Sequence, residues 1–265
     1  MAYINKSKKV VESIYNNYDE DSRLTRTRHG QLEYITTMHY IEKYLKPNAK
    51  ILEVGAGTGK YSLELAKRGY NVTAVELVES NLKVLKKNAK GIKNIKAYQG
   101  DALDLSRFKD DSYDMVLVLG PMYHLYSKKD QVQAIDEALR VAKPGAVLMF
   151  AFLPVASMIF GWGMEGNIKQ AFKENFGKDY KVLHKASQGF TGYEIDGFKE
   201  LFKNKQVEDL HMVSADSIID SMEDRKSFAM DDEDFKLFVD YHLATCEKRE
   251  MQGLSFHMLY ICKKQ

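Results

Sequence analysis

Cysteine, tryptophan and proline are scarce in this chain. Its 265 residues include two cysteines, one tryptophan and four prolines. Cys246 and Cys262 do not form a CxxC pair, which argues against a zinc site and is typical of buried thiols in a reducing compartment. A core of this size needs no disulfide bonds to stabilise it.

The sequence also lacks a long uncharged apolar run. No stretch is long enough to cross a bilayer, and the N-terminus has basic residues without the apolar segment of a signal peptide. We therefore expect a cytoplasmic protein with no membrane partner. The formal net charge of +2 is too small to indicate a nucleic-acid partner, so a small-molecule partner is expected. The oligomeric state is left open.

Short apolar runs alternate with amphipathic helical segments in the first 152 residues. The runs are Lys50–Val54, Val72–Glu76, Ile95–Gln99, Met115–Leu119 and Ala146–Phe152. This alternation predicts an α/β fold with a doubly wound, largely parallel sheet whose strands are buried on both faces. A first helix is predicted at Gln31–Leu45. Near the C-terminus, Gln206–Ser214 and Leu254–Cys262 are expected to be further strands, with a helix at Asp231–Lys248 between them.

The alternation breaks between residues 153 and 206, where aromatic residues are dense and Trp162 lies. We predict that residues 1–152 and 207–265 form the main domain, with helices in residues 1–46 covering its site. Residues 153–206 follow the fifth predicted strand at the edge where ligands bind, so they are predicted to be a substrate-binding lid that includes Trp162. A helical subcore packed on the sheet is the alternative.

A glycine-rich loop, Gly55–Gly59, follows the first predicted strand and precedes a helix. Its glycines allow a sharp turn and close approach of the backbone to a ligand, with helix N-terminal amides facing it. A P-loop is excluded, because it needs glycine where Val54 stands and serine or threonine where Tyr61 stands. A dinucleotide-binding loop fits poorly, because the third glycine comes one residue early and the acidic Glu53 precedes the loop.

Two acidic residues end the next two predicted strands. Glu76 lies 21 residues beyond Gly55, where a carboxylate can accept hydrogen bonds from both ribose hydroxyls of an adenosine. Asp101, within Gly100-Asp101-Ala102, is placed to accept from an adenine amino group. With the loop, these acids predict a site for an adenosine-containing ligand.

Glu53 through Gly59, Glu76, Asp101 and the Lys143-Pro144-Gly145 turn, in this order, resemble the motif series of class I S-adenosylmethionine-dependent methyltransferases. The resemblance covers residues 28 to 262. It implies a Rossmann-like, seven-stranded sheet with a reversed last strand, and S-adenosylmethionine as cofactor, with S-adenosylhomocysteine as product. The expected cofactor residues are Arg28, Glu53, Gly55, Ala56, Gly57, Gly59, Glu76, Leu77, Asp101, Ala102, Leu119 and Gly120.

The segment from Gly120 to Leu125 resembles the Gly-Pro-x-Tyr-His-Leu segment of many small bacterial methyltransferases. Tyr123 and His124 are therefore the candidate catalytic residues. His124 is a candidate base because an imidazole titrates near neutral pH, and turnover would then fall as the pH drops through an imidazole-like value. A structural or orienting role for His124 is the alternative. Tyr15 and Tyr18 could close over the methyl group, with local packing as the alternative.

Several methyltransferase classes are disfavoured by what is missing. The chain lacks the Asn-Pro-Pro-Tyr motif of nucleobase amino methyltransferases, the Pro-Cys nucleophile of cytosine C5 enzymes and the clustered carboxylates of magnesium-dependent catechol enzymes. We therefore predict metal-independent methyl transfer to an oxygen, nitrogen or sulfur atom of a small molecule. An RNA methyltransferase and a non-catalytic S-adenosylmethionine-binding module are the alternatives.

Overall fold

A single twisted sheet organises the chain. The structure is a computed structural model that describes residues 2–185 and 189–265. Met1 and residues 186–188, which fall in the predicted N-terminal helices and the predicted lid, lie outside the described residues. The strands are β1 (Lys50–Val54), β2 (Asn71–Glu76), β3 (Ile95–Gln99), β4 (Tyr113–Val118), β5 (Ala142–Pro154), β6 (Gly192–Tyr193), β7 (Val207–Ser214) and β8 (Met258–Lys264).

The order of the sheet is β3-β2-β1-β4-β5-β8-β7. The first five strands are parallel where they pair, whereas β8 runs antiparallel to both β5 and β7. The predicted Rossmann-like fold with a reversed last strand is therefore confirmed. An eighth strand was not predicted: β6 has only two residues and pairs with the end of β5.

Helices flank the sheet on both faces. They are α1 (Ala2–Tyr15), α2 (Arg28–Tyr44), α3 (Lys60–Lys67), α4 (Glu79–Asn88), α5 (Lys128–Val141), α6 (Val155–Met158), α7 (Ile168–Asn175), α8 (Ile195–Lys199), α9 (Ile219–Glu223), α10 (Asp232–Thr245) and α11 (Arg249–Gln252). An irregular helical segment, Ile159–Asn167, joins α6 to α7. No helix among residues 2–185 and 189–265 combines the length and apolar composition needed to span a bilayer.

Several predicted boundaries were wrong, and three of them have local reasons. Helix α2 begins three residues before Gln31, because the hydroxyl of Thr27 caps it by accepting the Gly30 N–H. Strand β5 begins at Ala142, before the Lys-Pro-Gly turn, and pairs there with β4 through a register shift. Strand β8 begins at Met258, because the backbone N–H groups of the two residues before it bind a buried carboxylate instead of a neighbouring strand.

Apolar side chains fill both faces of the sheet. Along β1, Ile51 packs into a cluster with residues of α2 and α3, whereas Leu52 packs into a cluster with residues of α5. Both side chains are fully buried. This alternation explains why the central strands are continuous apolar runs: each side chain has a covered face to occupy.

A buried ionic network ties the chain preceding α2 to the end of the sheet. Arg23 binds both carboxylate oxygens of Glu33, at 2.6 and 3.1 Å. The fully buried Asp216 accepts hydrogen bonds from Ser255, from the N–H groups of Phe256 and His257, and from Nδ1 of His257 at 2.6 Å. The possible metal-ligating atoms of Glu33, Asp216 and His257 lie within 4.8 Å of one another, a spacing that could hold a metal ion. In this structure, Glu33 binds Arg23 and Asp216 binds His257.

Charge in this network shifts two pKa values in opposite directions. Burial alone would raise the pKa of Glu33, but Arg23 and His257 hold it at about 2. Burial alone would lower the pKa of His257, yet Glu33 and Asp216 raise it to about 9. His257 is therefore a cation at neutral pH, and it compensates the buried carboxylates.

This arrangement predicts a loss of stability at alkaline pH. The contribution of His257 is complete below its unfolded pKa of 6.5 and is lost as the pH rises through about 9. It amounts to at most about 3 kcal/mol. Urea unfolding of the wild type at pH 6 and pH 10 should show a larger decrease than that of His257→Gln. Identical decreases in both proteins would contradict the assignment.

Candidate functional site

A deep cleft opens at the carboxyl ends of β1, β2, β3 and β4. It contains about 1150 Å³ of space free of protein atoms, its open mouth included. The strand ends form its floor, and α1 with the chain up to Leu24 forms one wall. Because the strands are parallel, their carboxyl ends meet at this edge, which is where α/β sheets bind ligands.

The glycine loop shapes the floor of the cleft. Gly55 and Gly57 have φ angles of +75° and +54°, in the region that favours glycine. A Cβ atom at Gly55 would lie 2.6 Å from Cδ of Pro121, so the loop after β1 lies directly against the chain after β4. Only glycine permits this approach.

Glu76 and Asp101 stand beside the loop, as predicted. The two carboxylate oxygens of Glu76 accept the N–H groups of Gly57 at 2.7 Å and Val78 at 2.8 Å. Burial raises the pKa of Glu76, and these hydrogen bonds oppose the rise. Asp101 accepts the N–H of Leu103 at 3.0 Å. Both carboxylates keep lone pairs for hydroxyl or amino groups of a ligand.

Glu53 lines the cleft, but its carboxyl group is hydrogen-bonded to a side chain inside the protein. It is almost completely buried and accepts a hydrogen bond from the hydroxyl of Ser62 on α3. Burial raises its pKa to about 8, which this hydrogen bond partly offsets. Glu53 is therefore mostly protonated at neutral pH, and it connects β1 to α3 without adding a negative charge.

Glu20 and Arg23, which the sequence prediction missed, also line the cleft. Arg23 Nε lies 3.3 Å from Glu20 Oε1, and Glu20 lies against Gly57, because a Cβ atom there would be 3.3 Å from Glu20 Cγ. A carboxylate and a guanidinium next to the glycine loop can pair with a ligand that carries both charges. Nothing in the local pattern of this segment marks them, apart from their spacing of three residues.

His124 is held by hydrogen bonds on both ring nitrogens. Its Nδ1 lies 2.8 Å from the carbonyl oxygen of Gly189, which can only accept, so Nδ1 carries the proton. Its Nε2 has no proton and therefore accepts a hydrogen bond from the hydroxyl of Tyr15, at 3.0 Å. The rings of Tyr123 and Phe190 pack against it, with centroids 5.0 Å away in each case.

Burial determines the protonation of this pair. It lowers the pKa of His124 to about 4, although the hydrogen bond to Gly189 opposes the shift. Burial also raises the pKa of Tyr15 well above its ordinary value. Both groups are therefore neutral near pH 7. The expectation of an imidazole that titrates near neutral pH is wrong for this environment.

Four predicted residues do not line the cleft. Arg28 binds Asp232 at 2.5 Å and covers the ring of Phe235, so its guanidinium is engaged elsewhere. Gly59 precedes α3 with a φ of +90°, and a Cβ atom there would meet Leu85, so it shapes the turn only.

The two predicted substrate residues are the other pair. Tyr18 is 40% exposed and lies beneath Arg26, while Trp162 is also 40% exposed. Neither belongs to the cleft lining, which contains no described residue of 153–206. The contact of Trp162 with substrate stays a prediction. The other predicted site residues, from Glu53 to His124, line the cleft together.

The hydrogen-bonding groups that line the cleft suit S-adenosylmethionine. The hydroxyl of Thr58 is buried in the lining without a hydrogen-bond partner among the described residues, which is a free polar atom beside the loop. Glu76 and Asp101 suit ribose hydroxyls and an amino group, and Glu20 with Arg23 suit an amino acid moiety.

Residues 51–145 match the family model described as methyltransferase domain. The match covers 95 of the 265 residues, so this part of the chain is similar to methyltransferase domains. The predicted enzyme class and cofactor, S-adenosylmethionine, agree with this match. The chain is 31% identical over 136 residues to a demethylmenaquinone methyltransferase of Clavibacter sepedonicus, covering 51% of this chain and 53% of that protein. It thus spans about half the length of the curated relatives that it matches.

Solved structures share the fold. A SAM-dependent methyltransferase of Thermotoga maritima, described as a possible histamine N-methyltransferase, matches with a TM-score of 0.59 at 17% identity, covering 97% of this chain and 99% of that one. The [4+2]-cyclase SpnF matches with a TM-score of 0.56 at 16% identity, covering 88% of this chain and 81% of its own. The fold is thus shared by proteins with different named activities. The activity must therefore be inferred from the residues of the site and not from the fold.

The position of Glu76 beside the glycine loop predicts how much cofactor affinity its removal costs. Glu76→Ala should weaken S-adenosylhomocysteine binding by about 1.5–3 kcal/mol, the scale of charge-assisted hydrogen bonds. Calorimetry measures this directly, and NAD should show no saturable binding. Glu79→Ala is the control, because the Glu79 carboxylate is exposed and pairs with Lys83. Unchanged affinity in Glu76→Ala, or tight binding of NAD, would contradict this site.

Proposed function

We propose that this chain is an S-adenosylmethionine-dependent methyltransferase that transfers a methyl group to an oxygen, nitrogen or sulfur nucleophile of a small molecule, without a metal ion. The observation that carries the proposal is that the glycine loop, Glu76 and the Tyr15–His124 pair meet in one cleft. Apolar side chains such as Val11, Leu119 and Leu125 complete the walls, which suits a small acceptor.

Each end of the cofactor has a partner in this proposal. Glu76 accepts the ribose hydroxyls, Asp101 accepts the adenine amino group, and Glu20 with Arg23 bind the amino acid end. When bound, S-adenosylmethionine supplies an electrophilic methyl group on a positively charged sulfur. The chain contributes alignment and exclusion of water, which can lower a barrier by about 7–11 kcal/mol.

The Tyr15–His124 pair orients the acceptor in this proposal. The hydroxyl proton of Tyr15 is directed at His124 Nε2, so the Tyr15 oxygen has lone pairs left to accept an N–H, O–H or S–H of the acceptor. With its pKa lowered from 6.5 to about 4, His124 is about 300-fold weaker as a base than an ordinary imidazole. Orientation therefore outweighs proton removal.

Residues 153–206 are proposed to be an insertion in the methyltransferase domain that contributes to the acceptor site. Gly189 and Phe190 in this insertion support His124 from behind. The Gly120–Leu125 segment, with its Tyr123-His124 pair, supports assignment to the small-molecule bacterial subgroup.

Variants of the pair separate orientation from base catalysis. Tyr15→Phe removes the oxygen that faces the acceptor and should lower kcat by about 10–100-fold, whereas cofactor affinity is unchanged. His124→Asn keeps a hydrogen-bond acceptor for Tyr15 but cannot take a proton, so it should stay within about ten-fold of the wild type. Steady-state kinetics with S-adenosylhomocysteine release as readout measure both.

The pH profile gives a second check on this pair. Titration of His124 should not change wild-type turnover between pH 6 and pH 8, because the pKa of His124 lies at about 4. A loss of about 10²–10⁴-fold in His124→Asn, with an acid limb near pH 6.5 that disappears in the variant, would establish His124 as the base instead.

An acceptor screen tests the activity itself. S-adenosylhomocysteine release should be measured with amines, thiols, phenols, carboxylates, aliphatic alcohols, demethylmenaquinone and total RNA, with and without EDTA. We expect turnover with amines, thiols or other acceptors that need no strong base, little with aliphatic alcohols, and no effect of EDTA. Turnover on RNA alone would favour an RNA methyltransferase. Cofactor binding without turnover on any acceptor would favour a non-catalytic binding module.

A further inference from the structure

The insertion carries an exposed apolar surface that the cleft does not use. We define the aromatic patch as Phe160, Trp162, Met164, Ile168, Phe172 and Tyr180. Among residues 8–185 and 189–265, eleven large apolar side chains are exposed, and six of them are these. Single exposed apolar residues are ordinary, but six within 21 residues concentrate exposed apolar surface in one segment, as interaction sites do.

Local contacts hold the patch together as a surface. Ile168 and Phe172 lie one turn apart on the exposed side of α7, while Ala171 on the same helix is buried. The ring of Phe172 lies 6.2 Å from that of Tyr180. The segment with Trp162 is fixed to α7 through Gly163, where a Cβ atom would lie 3.1 Å from that of Ala171. Thus the segment that carries Trp162 packs on α7, and α7 connects in turn to Tyr180.

Exposed lysines accompany the patch. Between positions 160 and 185 there are five lysines and three acidic residues, and all five lysines are exposed: Lys169, Lys173, Lys178, Lys181 and Lys185. On α7, Lys169 and Lys173 follow Ile168 and Phe172 by one residue each, so a basic stripe adjoins the apolar stripe. The patch therefore presents positive charge beside aromatic and aliphatic side chains.

This composition discriminates between two kinds of partner. Protein interfaces are enriched in aromatic residues and methionine but depleted in lysine. At a lipid surface, in contrast, aromatic rings lie at the level of the headgroups and lysines extend toward anionic phosphates while their alkyl chains stay among apolar groups. Lysines interleaved with the apolar residues favour the lipid surface.

We propose that the aromatic patch docks this protein on the surface of a membrane that contains anionic lipids. The patch follows β5 through α6, at the same edge of the sheet on which the cleft opens. Docking would therefore bring the cleft edge of the molecule to the lipid surface without any segment crossing it. This inference does not depend on the proposed methyl transfer.

Trp162 makes the proposal directly testable, because it is the only tryptophan in the chain. The full-length protein should be titrated with vesicles of phosphatidylcholine containing about one third phosphatidylglycerol, and with vesicles of phosphatidylcholine alone. With the anionic vesicles, Trp162 emission should shift to shorter wavelength and become shielded from acrylamide. Added salt should weaken the binding, because it screens the lysines.

Variants assign the binding to the patch. Lys169→Gln and Lys173→Gln should each weaken vesicle binding about five-fold, and Met164→Ser with Phe172→Ser should weaken it at least about ten-fold while Trp162 still reports. The matched control is Leu237→Ser with Tyr241→Ser, which removes exposed apolar side chains of α10 outside the patch and should leave binding unchanged.

Three outcomes would overturn the proposal. The first is no change in Trp162 emission with anionic vesicles. The second is equal weakening of binding by the patch variants and the α10 control. The third is a shift of Trp162 emission with protein concentration, without vesicles and with a dimer in sedimentation, because the patch would then be covered by a second copy of the chain.

Discussion

Parallel pairing of the first four strands is the constraint on which the site depends. It brings the ends of β1, β2, β3 and β4 to one edge, so that Gly55, Glu76, Asp101 and Pro121 become neighbours although they span 67 positions of the chain. The glycine loop then closes against Pro121 with no room for a Cβ atom. The cleft is a consequence of register and backbone geometry before any side chain chemistry is considered.

Much of this was predictable because the signals are periodic or local. The alternation of apolar runs with helices predicted the strands that form the floor of the cleft, and the Gly55–Gly59 loop, Glu76 and Asp101 each follow a strand end. Contacts between distant segments left no such signal. Tyr15 and His124 are 109 positions apart, and nothing in either local pattern pairs them.

The environment gives two histidines different pKa values, although the sequence alone does not distinguish them. His124 follows β4 and His257 precedes β8, yet apolar burial lowers the pKa of the first to about 4 while two carboxylates raise that of the second to about 9. At neutral pH, the first is a neutral hydrogen-bonding group in the cleft and the second is a cation in the ionic network. Such differences depend on desolvation and neighbouring charge, which appear only when the chain is folded.

The wall formed by α1 is the part of the cleft that ligand binding can reinforce. Hydrogen bonds between strands fix the floor, whereas the described contacts between this wall and the rest of the cleft include those of Tyr15 with His124 and Asn16 with Ser80. Because side-chain contacts of this kind open locally more easily than a central sheet, a ligand that touches both wall and floor would increase the protection of α1 against local opening.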